Sequence, residues 1–290
     1  MPQLRKQAAA TPERVAVRMA EADGEALSFA GLDRRADAVA RWFLSLGLSA
    51  GDSVALLLEN RIELPELWIG ARRAGLYYVP IAVQLTASEI EYILRDAGAR
   101  VLVTSPAFAD RLAALPAEVA PLRACLDGGL PGCTTYEAAL APHFDGIALP
   151  ARPLGRELFY SSGTTGRPKG VRRPLTPHEQ RDALPAFERT LRGLLRFEGP
   201  IVYLSPSPLY HATGRFVIRA FEGGGTAVLM RRFDAAEALA AIDRWQVTHS
   251  HWVPTMFVRM LALPDPVRAA FDGRSHRVAI HAAPPCPPEA

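Results

Sequence analysis

Gly51-Asp-Ser-Val-Ala-Leu-Leu-Leu58 opens the run whose reading sets the fold. A Gly-Asp turn precedes a short apolar stretch, and such a stretch reads as a strand buried on both faces. A helix over 62–74 follows, with Leu64, Leu67, Trp68 and Ala71 inward, and then a second strand over 77–81. Thr86-Ala-Ser-Glu89 is a capping-box pattern, in which each end side chain satisfies an orphan backbone donor; it opens a helix to Ala97. Val101-Leu-Val-Thr104 is the third strand. Strand and helix alternating in this way specify an α/β fold with mostly parallel sheets flanked by helices.

Outward from this run, Leu32, Ala36, Val39, Ala40, Phe43 and Leu46 share one helical face, and Gly47 is placed to end that helix. Residues 106–155 are less regular and read as one helix and a loop excursion. A strand enters at Leu158, and helical patterns lie near 179–195, 212–222, 234–244 and 255–263. Short apolar strands separate them at 201–204, 226–229, 247–252 and 277–281. Gly223-Gly-Gly225 precedes a strand instead of following one, so it reads as a helix-ending turn, not a dinucleotide loop. No GxGxxG opens a helix after a strand, and no GxSxG elbow occurs.

Composition excludes several classes. Hydrophobic residues at 49% and charged residues at 22% belong to a globular chain, and 290 residues can bury the core of one or two domains. The 33 basic and 30 acidic residues leave a net charge of only +3, with the bases scattered, so a nucleic-acid partner is not expected. Cys125, Cys133 and Cys286 form no CxxC pair, which supports neither a zinc knuckle nor a disulfide framework and suits a reducing cytoplasm. The N-terminus lacks the apolar core of a signal peptide, and no membrane span is expected.

Chemistry concentrates in Tyr160-Ser-Ser-Gly-Thr-Thr-Gly-Arg-Pro-Lys-Gly-Val171. Gly163 and Gly166 let backbone N–H groups converge on an anion; Ser161, Ser162, Thr164 and Thr165 add hydroxyl donors; Lys169 adds a compact charge. Together these suit a polyphosphate. The string is not the P-loop GxxxxGK[ST], because Pro168 precedes Lys169 and Gly170 follows it. A flexible Gly/Ser/Thr hairpin turn is the plainer reading. Against it, Lys169 and Lys6 are the two lysines in a chain that otherwise uses arginine.

The loop resembles the signature of the adenylate-forming superfamily, which includes acyl-CoA synthetases, luciferases and peptide-synthetase adenylation domains. The likeness extends to Leu27-Ser-Phe-Ala-Gly-Leu-Asp33, Ala74-Gly-Leu-Tyr-Tyr-Val-Pro80, Pro208-Leu-Tyr-His-Ala-Thr-Gly214, the stretch 247–261 and His281-Ala-Ala-Pro-Pro285. Its flavour is that of bacterial fatty-acyl-CoA synthetases. The resemblance implies that Ser161, Ser162, Gly163, Thr164, Thr165, Gly166 and Lys169 wrap the β- and γ-phosphates of ATP. It implies that His211 stands between acyl pocket and nucleotide, and that Ala282, Ala283, Pro284 and Pro285 floor the adenine. Arg231 or Arg232, with Arg232 preferred, falls where related ligases place a base near the phosphates of coenzyme A. ATP, magnesium, coenzyme A and a carboxylic acid, fatty or aryl, are the implied cofactors and partners.

The same resemblance makes residues 1–290 an incomplete large N-terminal domain. It implies that an aromatic-x-x-Thr-Glu motif, a ribose-binding aspartate and a C-terminal domain with a catalytic lysine lie beyond this chain. Two readings stay open: the front part of an AMP-forming acid–CoA ligase, or a non-catalytic remnant that binds nucleotide or acyl ligand. His211, Val217, Trp252 and Met256 suggest an apolar acyl pocket. His249 and His251 alternate in a strand and can face one way, as metal ligands or as packed core; no third ligand has fitting spacing. His143, His178 and His276 read as surface residues.

Overall fold

The computed structural model describes residues 2–161, 168–197, 199 and 201–281. It divides into two compact units, one built from residues 33–59 and 63–182, the other from residues 2–32, 60–62 and 183 onward.

The first unit carries the run that sets the fold. Ser53–Leu57 is buried along its whole length and pairs in parallel with Tyr77–Pro80 on one side and Ala99–Thr104 on the other. Arg156–Glu157, Leu122–Cys125 and Thr134–Thr135 extend the sheet to six strands, every pairing parallel. The helix Leu64–Arg73 buries Leu64, Leu67, Trp68 and Ala71, as its periodicity requires. The helix Ala87–Ala97 begins in the expected capping box, with Thr86 and Glu89 each satisfying the other's backbone donor, and ends at Gly98 in a left-handed conformation. A branched residue there would pay for the positive φ. Its inward face, Ile90, Ile93, Leu94 and Ala97, joins Leu57, Val79, Leu102, Phe108 and Leu158 in one hydrophobic cluster.

Residues 106–155 hold more than one helix. Two short helices, Ala109–Ala113 and Tyr136–Leu140, lie either side of the strands Leu122–Cys125 and Thr134–Thr135. Tyr136 is buried, and its hydroxyl donates to Glu66 Oε1 at 2.7 Å. Arg35 donates to the same buried carboxylate at 2.6 and 2.9 Å, which satisfies a charge that would be costly alone.

The second unit has its own six-stranded sheet, in the order Val278–His281, His249–Trp252, Val202–Ser205, Thr226–Leu229, Val15–Met19, Ala26–Ser28. All neighbours run parallel except the edge strand Ala26–Ser28. The helices Gly214–Glu222 and Ala235–Arg244 fall within the expected periodic stretches, and Pro254–Leu261 begins one residue before its own. Leu204, Val228, Ala238, Ile242, Trp252 and Met256 form a hydrophobic cluster. The pattern near 179–195 yields a shorter helix, Ala186–Leu194, because Pro185 biases the residue before it away from helical geometry. Gly223 caps the helix before it and Gly224 has φ +73°, as a helix-ending turn requires.

Candidate functional site

In the first unit, Tyr160–Ser161 and Lys169–Gly170 pair antiparallel, with Ser161 opposite Lys169 and Tyr160 opposite Gly170. The signature string is therefore the connection of a hairpin whose flanks hold two of the expected phosphate ligands directly across from each other. Cα atoms at such positions lie about 4.5–5.5 Å apart. Lys169 is exposed. Ser162, Gly163, Thr164, Thr165 and Gly166, and the side chain of Ser161, lie outside the described residues.

The base of the hairpin is rigidly built. A Cβ on Gly170 would meet Tyr160 Cζ at 2.8 Å and its hydroxyl at 3.0 Å, so the Tyr160 ring lies over the glycine. The Tyr160 hydroxyl donates to Asp96 Oδ2 at 2.5 Å, tying the hairpin to the helix Ala87–Ala97. Burial and the adjacent Asp96 carboxylate both push this phenol well above its ordinary pKa, so it stays a donor. Val171 N–H donates to Phe159 O at 3.1 Å, extending the ladder. Arg172 then donates to Gly51 O, Ser53 Oγ and Ala97 O, and its guanidinium lies 4.5 Å from the Tyr77 ring centroid. None of these anchors was read from the sequence, since the side-chain bonds join residues 64 to 121 positions apart.

In the second unit the parallel sheet does the gathering. Parallel strands all leave the sheet at one edge, and ligands of open α/β sheets bind beyond the carboxyl ends of the strands. The neighbouring strands Val278–His281, His249–Trp252, Val202–Ser205 and Thr226–Leu229 lead respectively into 282–285, Val253, the turn bearing His211, and Arg231–Arg232. Ala282, Ala283, Pro284 and Pro285 themselves lie outside the described residues.

His211 sits in successive turns: its N–H donates to Pro208 O at 3.2 Å, its carbonyl accepts from Gly214 at 3.1 Å, and Thr213 Oγ1 also donates to Pro208 O. The ring is open to solvent on one side and packs edge-on against Tyr210, centroids 4.5 Å apart. The protein around it removes enough water to lower its pKa, so the imidazole is neutral at pH 7. Arg231 and Arg232 are both exposed, and Arg231 is paired with Glu25 at 2.8 Å and Glu21 at 3.7 Å. Asn60, buried beneath these turns, was not singled out by any sequence pattern; it donates to Ser207 O and Met230 O and accepts from Leu209 N–H.

Other expected residues serve packing. His249 is held by Thr248 Oγ1 at 2.8 Å and the Arg196 carbonyl at 3.0 Å, and His251 stacks on Phe216 at 5.4 Å. Among the described residues no group of three His, Cys, Asp or Glu side chains is placed to hold a metal ion. The packed-strand reading of the two histidines fits these contacts. Trp252 and Met256 belong to the hydrophobic cluster, with Trp252 against Phe233 and Phe257. His276 departs from the surface expectation: it is half-buried and its Nε2 lies 2.6 Å from Ser250 Oγ.

Comparisons with known proteins bear on the family and the fold. The family described as AMP-binding enzyme matches residues 4–290. A feruloyl-CoA synthase from Amycolatopsis is 31% identical over 261 residues, covering 89% of this chain and 49% of that protein. A long-chain-fatty-acid–CoA ligase, FadD13 of Mycobacterium tuberculosis, is 30% identical over 82% of this chain and 46% of its own length. The ATP-bound structure of MatB from Rhodopseudomonas palustris superposes with a TM-score of 0.77 at 27% identity, over 98% of this chain and 55% of that one. The chain thus spans about half the length of the curated relatives it matches. No helix among the described residues is long and apolar enough to cross a membrane. On its family match, the chain belongs to the AMP-binding enzyme family.

Proposed function

We propose that this chain supplies the ATP-phosphate grip and part of the acyl site of an AMP-forming acid–CoA ligase. A carboxylate oxygen attacks the α-phosphorus of Mg·ATP, the bond from that phosphorus to the bridging oxygen breaks, and acyl-adenylate and pyrophosphate form. The thiol of coenzyme A then attacks the acyl carbon, expelling AMP and releasing a proton. Magnesium would enter with the nucleotide and would offset phosphate charge; among the described residues no group of three His, Cys, Asp or Glu side chains is placed to hold it.

The hairpin that sets Ser161 opposite Lys169 carries this reading. Preorganised donors aimed at phosphate oxygens lower the barrier by positioning and charge neutralisation, with little covalent work for the protein. Ser162, Gly163, Thr164, Thr165 and Gly166 complete the grip, and Ala282, Ala283, Pro284 and Pro285 floor the adenine. His211, neutral at pH 7, stands at the acyl boundary, where it can hydrogen-bond the carboxylate without adding a competing charge. Arg232 is the exposed base for the phosphates of coenzyme A. The acid is one with an apolar body, fatty or aryl.

Isotope exchange between pyrophosphate and ATP, driven by a panel of alkyl and aryl acids, tests the proposal. Exchange that is lost in Lys169→Ala supports it. Exchange unaffected by that substitution would sink it.

A further inference from the structure

We propose that Asn60 is a positioning residue whose carboxamide locks the His211 turn to the strand end that carries Arg231 and Arg232. The functional consequence rests on the role proposed above for His211.

Asn60 is 5% exposed, and its short side chain makes three hydrogen bonds to backbone separated from it by 147 to 170 residues. Its Nδ2 donates to Ser207 O at 3.0 Å and to Met230 O at 2.8 Å, which uses both amide hydrogens. Its Oδ1 accepts from Leu209 N–H at 2.7 Å. The first and third bonds flank Pro208. Proline has no N–H of its own, so this stretch cannot be held by an ordinary ladder. Pro208 O in turn accepts from His211 N–H and Thr213 Oγ1. Asn60 thus fixes the segment on which the His211 turn is wound. The second bond, to Met230, holds the residue just before Arg231-Arg232.

No other residue type fits equally well. Aspartate would set a carboxylate against two carbonyl oxygens, and glutamine carries an extra methylene into a buried space. Alanine leaves two carbonyls and an N–H without partners. An amide that serves only general stability would not need to reach both segments that bear candidate ligand-binding residues.

Amide hydrogen exchange and histidine-detected NMR on the 290-residue chain test the assignment. In Asn60→Ala, Leu209 N–H should exchange at least about tenfold faster relative to Leu204 N–H in the adjoining strand. The His211 imidazole signals should shift while those of His249 and His251 stay in place. Ile242→Ala, which opens a cavity in the same unit, is the control for mere destabilisation and should leave the Leu209-to-Leu204 ratio unchanged. Asn60→Ser, with a shorter reach, replaces the alanine variant if that one does not fold. An unchanged ratio with an unmoved His211, or equal effects from Ile242→Ala, overturns the proposal. If these signals move but pyrophosphate exchange proves indifferent to His211→Ala, the positioning stands and the role given to His211 falls.

Discussion

Gly170→Ala should weaken the hairpin through one contact, the Tyr160 ring. The added Cβ would lie 2.8 Å from Cζ, 3.0 Å from the hydroxyl and 3.2 Å from Cε1, inside ordinary van der Waals separation. Gly170 has no positive φ, so the objection is purely steric. To relieve it the ring must move, and its hydroxyl is tied to Asp96 at 2.5 Å. Overpacking of this kind costs about 1–3 kcal/mol. Losing the bond to Asp96 adds about 1 kcal/mol, less than a fully buried charged hydrogen bond because the pair is near the surface. The assay is a double-mutant cycle of Gly170→Ala and Tyr160→Ala, read by urea denaturation. With the ring removed, Gly170→Ala should become nearly neutral, leaving a coupling of about 2–4 kcal/mol, both costs together. An equal cost in both backgrounds would refute the reasoning, since the damage would then not pass through Tyr160.

Three further outcomes are expected. Arg35→Met should destabilise the chain by about 3–5 kcal/mol in urea denaturation, because it strands the fully buried Glu66 carboxylate with only Tyr136 as partner; a cost below 1 kcal/mol would show that water reaches Glu66. Burial lowers the pKa of His249, His251 and His276, so the unfolded chain binds protons more readily than the folded one. Stability from these groups is present above pH ~6.5 and is lost as pH falls below it, and the melting temperature should decline between pH 7 and 5.5. A flat profile would contradict that burial, and His251→Phe should reduce the slope. In any active preparation, Lys169→Ala should lower exchange by about 10²-fold, the usual effect of removing one preorganised charge-stabilising donor.

Much of the fold was legible because it is written locally. Thr86 to Gly98 carries both helix signals, and the capping box and left-handed glycine are in place. The apolar runs 201–204, 226–229 and 277–281 lie within a residue of the observed strands. What escaped is set by distant partners. Val15–Met19 becomes an interior strand only by pairing with Thr226–Leu229, about 210 residues on, and nothing local announces that. Leu122–Cys125 and Thr134–Thr135 are too short for periodicity and take strand form from the neighbouring edge of the sheet. In the site, Ser161 and Lys169 were legible as donors around a glycine-rich turn, whereas their opposition across a ladder was not. Asn60 had no legible signal, since its three bonds reach Ser207, Leu209 and Met230. His276 was misread for the same reason, its partner Ser250 lying on the strand His249–Trp252, 26 residues earlier.

The claim that the hairpin around 160–170 grips a polyphosphate is tested most directly by calorimetric titration of magnesium pyrophosphate into the 290-residue chain and its Lys169→Ala variant. Saturable binding by the unaltered chain, weakened at least about tenfold in the variant, is the predicted result; tenfold is 1.4 kcal/mol, a modest share for one charge-assisted contact. Equal affinity in the two proteins, or no binding by either, would contradict it.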